Sequence, residues 1–125
     1  MATIELTESN FSSTIDDNDV VLIDFWADWC GPCQRFAPIY EDASERHEGV
    51  VFAKLDTEAE RGIASALQIM SIPTIMAFRA GYLVFSQPGM LNGKQLDQLI
   101  GQVKDIDLDE LKKQAAEHQA AQQNG

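Results

Sequence analysis

The chain has 125 residues, of which 45% are hydrophobic, and its formal net charge is −11 because 20 acidic residues outnumber nine basic ones. The length and composition fit one domain with one core, whereas the acidic balance argues against binding to nucleic acid or anionic membranes. No apolar run approaches the roughly 20 residues that span a bilayer. The N-terminus lacks the basic and apolar regions of a signal peptide, so we expect a cytoplasmic protein.

The first part of the chain predicts a strand, a helix and a second strand. Ile4–Leu6 is a short predicted strand, and Thr7 is a candidate N-cap for a helix that carries Phe11 and Ile15. The nearly continuous apolar run Val20–Trp26 is typical of a central strand that is covered on both faces.

The elements after this strand continue the alternation and end in two strands and a helix. The predicted ranges are a helix from Cys30 to His47, a strand from Val50 to Leu55, a helix from Ala59 to Leu67, strands from Thr74 to Phe78 and from Leu83 to Ser86, and an amphipathic helix that carries Leu96, Leu99, Ile100 and Val103. The two adjacent strands, joined by a turn at Ala80-Gly81, form a predicted hairpin. The order β-α-β-α-β-α-β-β-α predicts an α/β fold, a central mixed sheet flanked by helices on both faces.

The composition changes beyond residue 104. Leu108, Leu111 and Ala115 form only a thin apolar stripe, and an isolated helix of this length is marginally stable in water. We therefore predict one domain over residues 1–104 and a C-terminal extension over residues 105–125 that is helical or partly disordered.

The two cysteines, Cys30 and Cys33, lie where the central strand gives way to a helix. A disulfide between them closes too small a loop to restrain the unfolded chain much. Chemical reactivity therefore explains the pair better than a role as a structural cross-link. A cysteine at a helix N-terminus faces unpaired N–H groups and the positive end of the helix dipole, which stabilise the thiolate that attacks disulfides. Cys30 is the predicted nucleophile. Cys33, one turn further and more buried, is predicted to release the substrate.

Asp24 is an anomaly because it places a carboxylate inside the predicted buried strand. Such a group is costly unless it is paired, protonated or functional. Lys54 lies within the next apolar strand, so the two form either a structural polar pair or a functional one. In the functional interpretation, burial raises the pKa of Asp24, which then accepts the proton of Cys33.

Pro73 precedes a predicted strand, within the segment Ile72-Pro73-Thr74. It is either an ordinary proline at a strand entry or one with a cis peptide bond, which only proline adopts cheaply. Gly89 follows the hairpin and allows the backbone to approach closely.

With these pieces in place, the sequence resembles the thioredoxin family from about Ile4 to Val103. The resemblance is carried by Val21-Leu22-Ile23-Asp24-Phe25-Trp26-Ala27, Trp29-Cys30-Gly31-Pro32-Cys33, Ala37-Pro38, Ala53-Lys54-Leu55-Asp56, Ile72-Pro73-Thr74 and Gly89. It implies the thioredoxin fold and the reduction of protein disulfides by dithiol–disulfide exchange.

The resemblance also implies a role for each residue of the site. Cys30 attacks, Cys33 resolves, Asp24 is the buried acid–base residue with Lys54 as its partner, and Pro73 is a cis-proline that faces the disulfide. The implied docking surface for substrates consists of Trp29, Gly31, Pro32, Ile72 and Gly89, beside which a substrate segment pairs with the backbone.

The partners implied by the resemblance are disulfide-containing proteins and a flavoprotein thioredoxin reductase. The reductase would supply electrons from NADPH, so we expect no bound cofactor, and we expect a monomer. Ser71, Thr57, Pro88 and the turn at residues 79–82 depart from the commoner family pattern. These departures bear on substrate range and reductase pairing rather than on the chemistry.

Three alternatives differ from a general reductase. An oxidase or isomerase usually carries His before the second cysteine, where this chain has Pro32. A binding module or redox-switched partner subunit would use the fold without general reductase turnover. A zinc or iron–sulfur carrier would need further ligands, and the chain adds only His47 and His118, neither at zinc-finger spacing. We therefore expect no metal.

Overall fold

A computed structural model describes the backbone of residues 2–124 and the side chains of residues 2–118. Its elements are β1 Thr3–Glu5, α1 Phe11–Asp16, β2 Val20–Trp26, α2 Gly31–Arg46, β3 Val50–Asp56, α3 Arg61–Ala66, β4 Thr74–Arg79, β5 Tyr82–Pro88, α4 Gly93–Lys104 and α5 Leu108–Asn124. The predicted order is confirmed, and a helix follows it in the predicted extension. Residues 1 and 125 of the predicted segments lie outside the described residues.

The strands form one mixed sheet in the order β1-β3-β2-β4-β5. β1 and β2 run parallel to β3, whereas β4 runs antiparallel to both β2 and β5. The apolar run predicted as the central strand is β2, which is buried from Val20 to Phe25 and pairs with a neighbouring strand on each edge. In this register Asp24 stands beside Lys54 of β3.

Apolar side chains cover both faces of the sheet, as its buried central strand requires. On one face the core includes Phe36, Tyr40 and Ala43 of α2 and Leu96, Leu99, Ile100 and Val103 of α4. On the other face it includes Leu6, Ile15 of α1 and Leu55 of β3, with Ile63 of α3 packed against them. The predicted layering, a mixed sheet with helices on both faces, is confirmed.

Two predicted helix starts are wrong for local reasons. Thr7 does not cap α1, because the helix begins at Phe11 and Asn10 occupies the N-cap position. The Thr7 backbone N–H donates to the side-chain oxygen of Asn10. α3 begins two residues later than predicted, at Arg61. The Asp56 carboxylate accepts hydrogen bonds from the N–H groups of Glu58 and Ala59, the latter being the first residue of the predicted helix, which holds that segment in a turn.

The hairpin between β4 and β5 turns at Ala80 and Gly81, as predicted. Both residues have positive φ, 51° and 86°, which is the backbone geometry of the two-residue turn that matches the twist of the flanking strands. Gly81 adopts this geometry freely, whereas a positive φ is uncommon for an alanine such as Ala80. The turn is further fixed by a hydrogen bond from the Ala80 N–H to the carbonyl of Asp19, at 2.7 Å.

Candidate active site

Cys30 is the N-cap of α2 and forms a disulfide bond with Cys33, their Cα atoms lying 5.2 Å apart. The Cys30 Sγ accepts a hydrogen bond from the backbone N–H of Cys33 at 3.2 Å. An orphan N–H of the first helical turn therefore points at this sulfur, which favours a thiolate once the bridge is reduced. Cys30 and Cys33 are 5% and 3% exposed, so burial alone does not separate their roles in the oxidised pair.

A second loop meets the disulfide at Pro73. The Ile72–Pro73 peptide bond is cis, and the Ile72 carbonyl oxygen lies 3.7 Å from the Cys30 Sγ. The Pro73 carbonyl accepts a hydrogen bond from the N–H of Gly89 at 2.8 Å, where Gly89 has a φ of 103°. This left-handed conformation suits glycine. The loops at Cys30, Pro73 and Gly89 thus converge on one side of the redox pair.

Asp24 is fully buried in β2, and neither of its carboxylate oxygens has a hydrogen-bond partner among the described residues. Burial raises the pKa of Asp24 from its ordinary 3.8 to about 7, and the charge of Lys54 opposes that rise. The Lys54 Nζ lies 5.0 Å from the ring centroid of Trp26, a cation–π contact. The predicted pair is therefore adjacent in register and electrostatically coupled, without a direct hydrogen bond between the described side chains.

The residues predicted to dock substrates surround this site and differ in exposure. Trp29, Gly31, Pro32 and Gly89 are exposed, whereas Ile72 is half-buried. The Trp29 indole N–H donates to Glu58 at 3.1 Å, and Arg61 donates to the other oxygen of that carboxylate at 2.8 Å. These two partners lower the pKa of Glu58. No local sequence pattern connects Glu58 with Trp29, since they lie 29 positions apart in the chain.

A groove of ≈ 380 Å³ opens beside the disulfide, and sequence reasoning missed two residues of its wall, Ile69 and Met70. Its lining residues are Trp29, Thr57, Ile69, Met70, Ser71 and Ile72. Met70 is 93% exposed. For Met70, the available signal was an apolar residue three positions before a candidate cis-proline.

Within the described part of the chain, no three or more His, Cys, Asp or Glu residues are grouped so that they could hold a metal ion. His47 instead contacts Asp97 of α4 at 2.6 Å. Across the same described residues, no helix combines the length and apolarity that crossing a bilayer requires.

Comparison with known proteins gives a consistent result. Residues 2–105 match the family model described as thioredoxin. The chain is 52% identical over 119 residues, 95% of its length and 89% of the relative's, to "Putative thioredoxin 2" of Streptomyces coelicolor. It is 43% identical over 81 residues to a "Bifunctional thioredoxin reductase/thioredoxin" of Mycobacterium leprae, a match that covers 63% of this chain and 18% of that protein.

The fold gives the same assignment. The structure of Plasmodium falciparum thioredoxin superposes with a TM-score of 0.73 at 36% sequence identity, covering 80% of this chain and 97% of that one. With the Cys30–Cys33 pair placed at a helix start, these similarities show that the chain belongs to the thioredoxin family of protein-disulfide oxidoreductases.

Proposed function

We propose that this protein reduces disulfide bonds in other proteins, with Cys30 as the nucleophile and Cys33 as the resolving residue. The observation that supports these roles best is the position of the Cys30 Sγ, which caps α2 and accepts the Cys33 N–H at 3.2 Å. Cys33 lies inside the first helical turn, where its sulfur can reach that of Cys30.

The reaction has two exchange steps. The Cys30 thiolate attacks one sulfur of the substrate disulfide, so that a mixed disulfide forms and the other substrate sulfur leaves as a thiolate. The Cys33 thiolate then attacks the Cys30 sulfur and expels the second substrate sulfur. Two electrons pass to the substrate, and the chain is left with the Cys30–Cys33 bond present in the structure.

We assign Asp24 as the acceptor of the Cys33 proton, directly or through water. A carboxyl with a pKa of about 7 can exchange protons at neutral pH, which suits general acid–base catalysis. Lys54, next to it in the sheet, favours the ionised form of Asp24 and so tunes the base.

Substrate docking is assigned to Trp29, Gly31, Pro32, Ile72 and Gly89. An extended substrate segment would lie across these residues and pair with the backbone beside Pro73. The closeness of the Ile72 carbonyl to the Cys30 Sγ, 3.7 Å, supports this arrangement because it brings a backbone acceptor to the reacting sulfur.

We further propose that electrons come from NADPH through a thioredoxin reductase, and that the protein is a cytoplasmic monomer. The Mycobacterium leprae relative, whose name joins a thioredoxin reductase to a thioredoxin, supports the choice of partner. The redox unit is assigned to residues 1–104, with residues 105–125 as an extension of it.

Reduction of a protein disulfide, driven by dithiothreitol, tests the redox roles. Cys30→Ser should abolish turnover, whereas Cys33→Ser should accumulate a covalent mixed disulfide that is visible by mass spectrometry. Cys30 should also react faster than Cys33 with an alkylating reagent at pH 7 in the reduced protein. Turnover retained by Cys30→Ser would exclude the mechanism. A wild-type protein that binds its partners but shows no turnover would instead favour a binding module.

A further inference from the structure

Met70 is the most exposed of the large apolar side chains described in the structure, at 93%. Single exposed apolar residues are ordinary on protein surfaces and need no functional explanation. Met70 differs from such residues in its position, since it forms part of the wall of the groove beside the disulfide.

Another part of that groove is formed by Trp29, which is 70% exposed and is held by its hydrogen bond to Glu58. Ile72 also lines the groove, and its carbonyl is 3.7 Å from the Cys30 Sγ. None of the six lining residues carries a charge, although the chain as a whole is strongly acidic. The groove is therefore a neutral, largely apolar extension of the redox site.

The backbone holds Met70 in this exposed position. Gln68 adopts a φ of 58°, a left-handed conformation that few residues other than glycine adopt. The Ile69 N–H donates to the carbonyl of Ala64 at 3.0 Å, and the Thr74 hydroxyl donates to the carbonyl of Ser71 at 2.6 Å. Because the segment is fixed on both sides of Met70, the exposure of this residue belongs to the folded loop.

We propose that Met70 determines substrate specificity by packing, together with Trp29, against an apolar side chain of the substrate protein that lies next to the reacting cysteine. This inference rests on the proposed function and adds a preferred substrate class to it. Removing an apolar substrate side chain from water against two apolar walls is favourable. The unbranched methionine side chain can adjust to side chains of different shapes.

Disulfide-bridged peptides with Leu or Ser on both sides of each cysteine test the proposal in the full-length protein. Met70→Gln keeps the length of the side chain but makes its end polar, whereas Met70→Leu keeps it apolar. We expect Met70→Gln to lower kcat/KM for the Leu peptide about fivefold. The change should appear in KM, because the variant loses a small apolar contact with the substrate. The Ser peptide should change less than about twofold, and Met70→Leu should behave as the wild type does.

Leu83→Gln provides a matched control, because Leu83 is an exposed apolar residue on β5. Turnover of a small aromatic disulfide should be unchanged in all variants, which also shows that they are folded. Equal effects of Met70→Gln on the Leu and Ser peptides, or none on either, would overturn the role of Met70. An inactive wild type would instead overturn the proposed function.

Discussion

Asp24 contradicts the general rule that a buried charged group is paired. Both of its oxygens are buried without a hydrogen-bond partner among the described residues, and the cation coupled to it, Lys54, contacts the ring of Trp26. The ionised carboxylate is therefore poorly solvated, and the pKa of Asp24 rises to about 7. A carboxyl of this kind makes both the reaction rate and the stability of the fold depend on pH.

The first consequence concerns the resolving step. Asp24 accepts a proton only when it is ionised, so the rate at which Cys33 resolves the mixed disulfide should rise with pH through about 7. Asp24→Asn should remove this rise and slow the step at pH 7.5 by about tenfold or more, a typical loss for a general base. Single-turnover release of the substrate thiol measures this rate. A variant as fast as the wild type would remove Asp24 from the mechanism.

The second consequence concerns stability. The folded-state pKa of about 7 lies above the ordinary 3.8, so the folded chain keeps a proton that the unfolded chain has already lost between these values. The contribution of Asp24 to the free energy of unfolding should be largest below pH 4 and fall by up to about 1.4 kcal/mol per pH unit between pH 4 and 7. Above pH 7 this contribution is constant.

Asp24→Asn should remove that part of the pH dependence and make the oxidised protein more stable than the wild type at pH 8. Urea unfolding at pH 5 and pH 8 measures the effect. Asp28→Asn, which changes an exposed carboxyl, is the control and should leave the wild-type pH dependence in place. An identical pH dependence in wild type and Asp24→Asn would mean that Asp24 is ionised at neutral pH without cost.

Arg79 joins three elements at the end of the sheet remote from the redox pair. It is buried at the end of β4, where its guanidinium donates to the carbonyls of Val103 and Ile106 at 2.9 Å and of Lys104 at 3.1 Å. Its Nε donates to Asp19, before β2, at 2.9 Å. Arg79, where the chain departs from the commoner family turn, thus caps the last turn of α4. A guanidinium can do this because it carries several donors in a fixed geometry.

Arg79→Met should lower the free energy of unfolding by about 2 kcal/mol, because it leaves carbonyls of the α4 end without a donor. Arg79→Lys keeps the charge but cannot reach all these acceptors at once, so its loss should be intermediate. Chemical denaturation measures both. Turnover should stay at the wild-type level, since Thr74, next to Pro73, is at the opposite end of β4. A loss of turnover in the folded variant would connect this end of the sheet to the site.

At the scale of the whole molecule, α5 is attached weakly. Among its described side chains, Leu108, Leu111 and Ala115 are half-buried and none is fully buried. A groove of ≈ 370 Å³ separates part of α5 from Leu83 and Val84 of β5. The thin stripe that the sequence showed therefore contributes little apolar contact, which is consistent with residues 1–104 as the stable unit.

Removal of residues 107–125 should change the free energy of unfolding by less than about 1 kcal/mol and leave disulfide reduction unchanged. This truncation retains Ile106, whose carbonyl Arg79 binds, so the cap of α4 stays intact. Urea unfolding and dithiothreitol-driven turnover check the two expectations. A truncated chain that fails to fold would show that α5 belongs to the domain.

The sequence by itself determined the features that local patterns encode. A continuous apolar run predicted β2, and a cysteine pair at the start of a helix located the redox site. A carboxylate within a buried strand identified Asp24. The alternation of strands and helices predicted a mixed sheet with helices on both faces, since chain connections between neighbouring elements allow few topologies.

Only the tertiary structure decided how groups from distant parts of the chain meet. It left Asp24 without a direct partner, held Trp29 with Glu58, exposed Met70 in a groove and turned Arg79 into the cap of α4. Each contact depends on where loops and side chains approach one another after the sheet has formed. Periodicity and capping signals, which act over a few residues, carry no information about such distances.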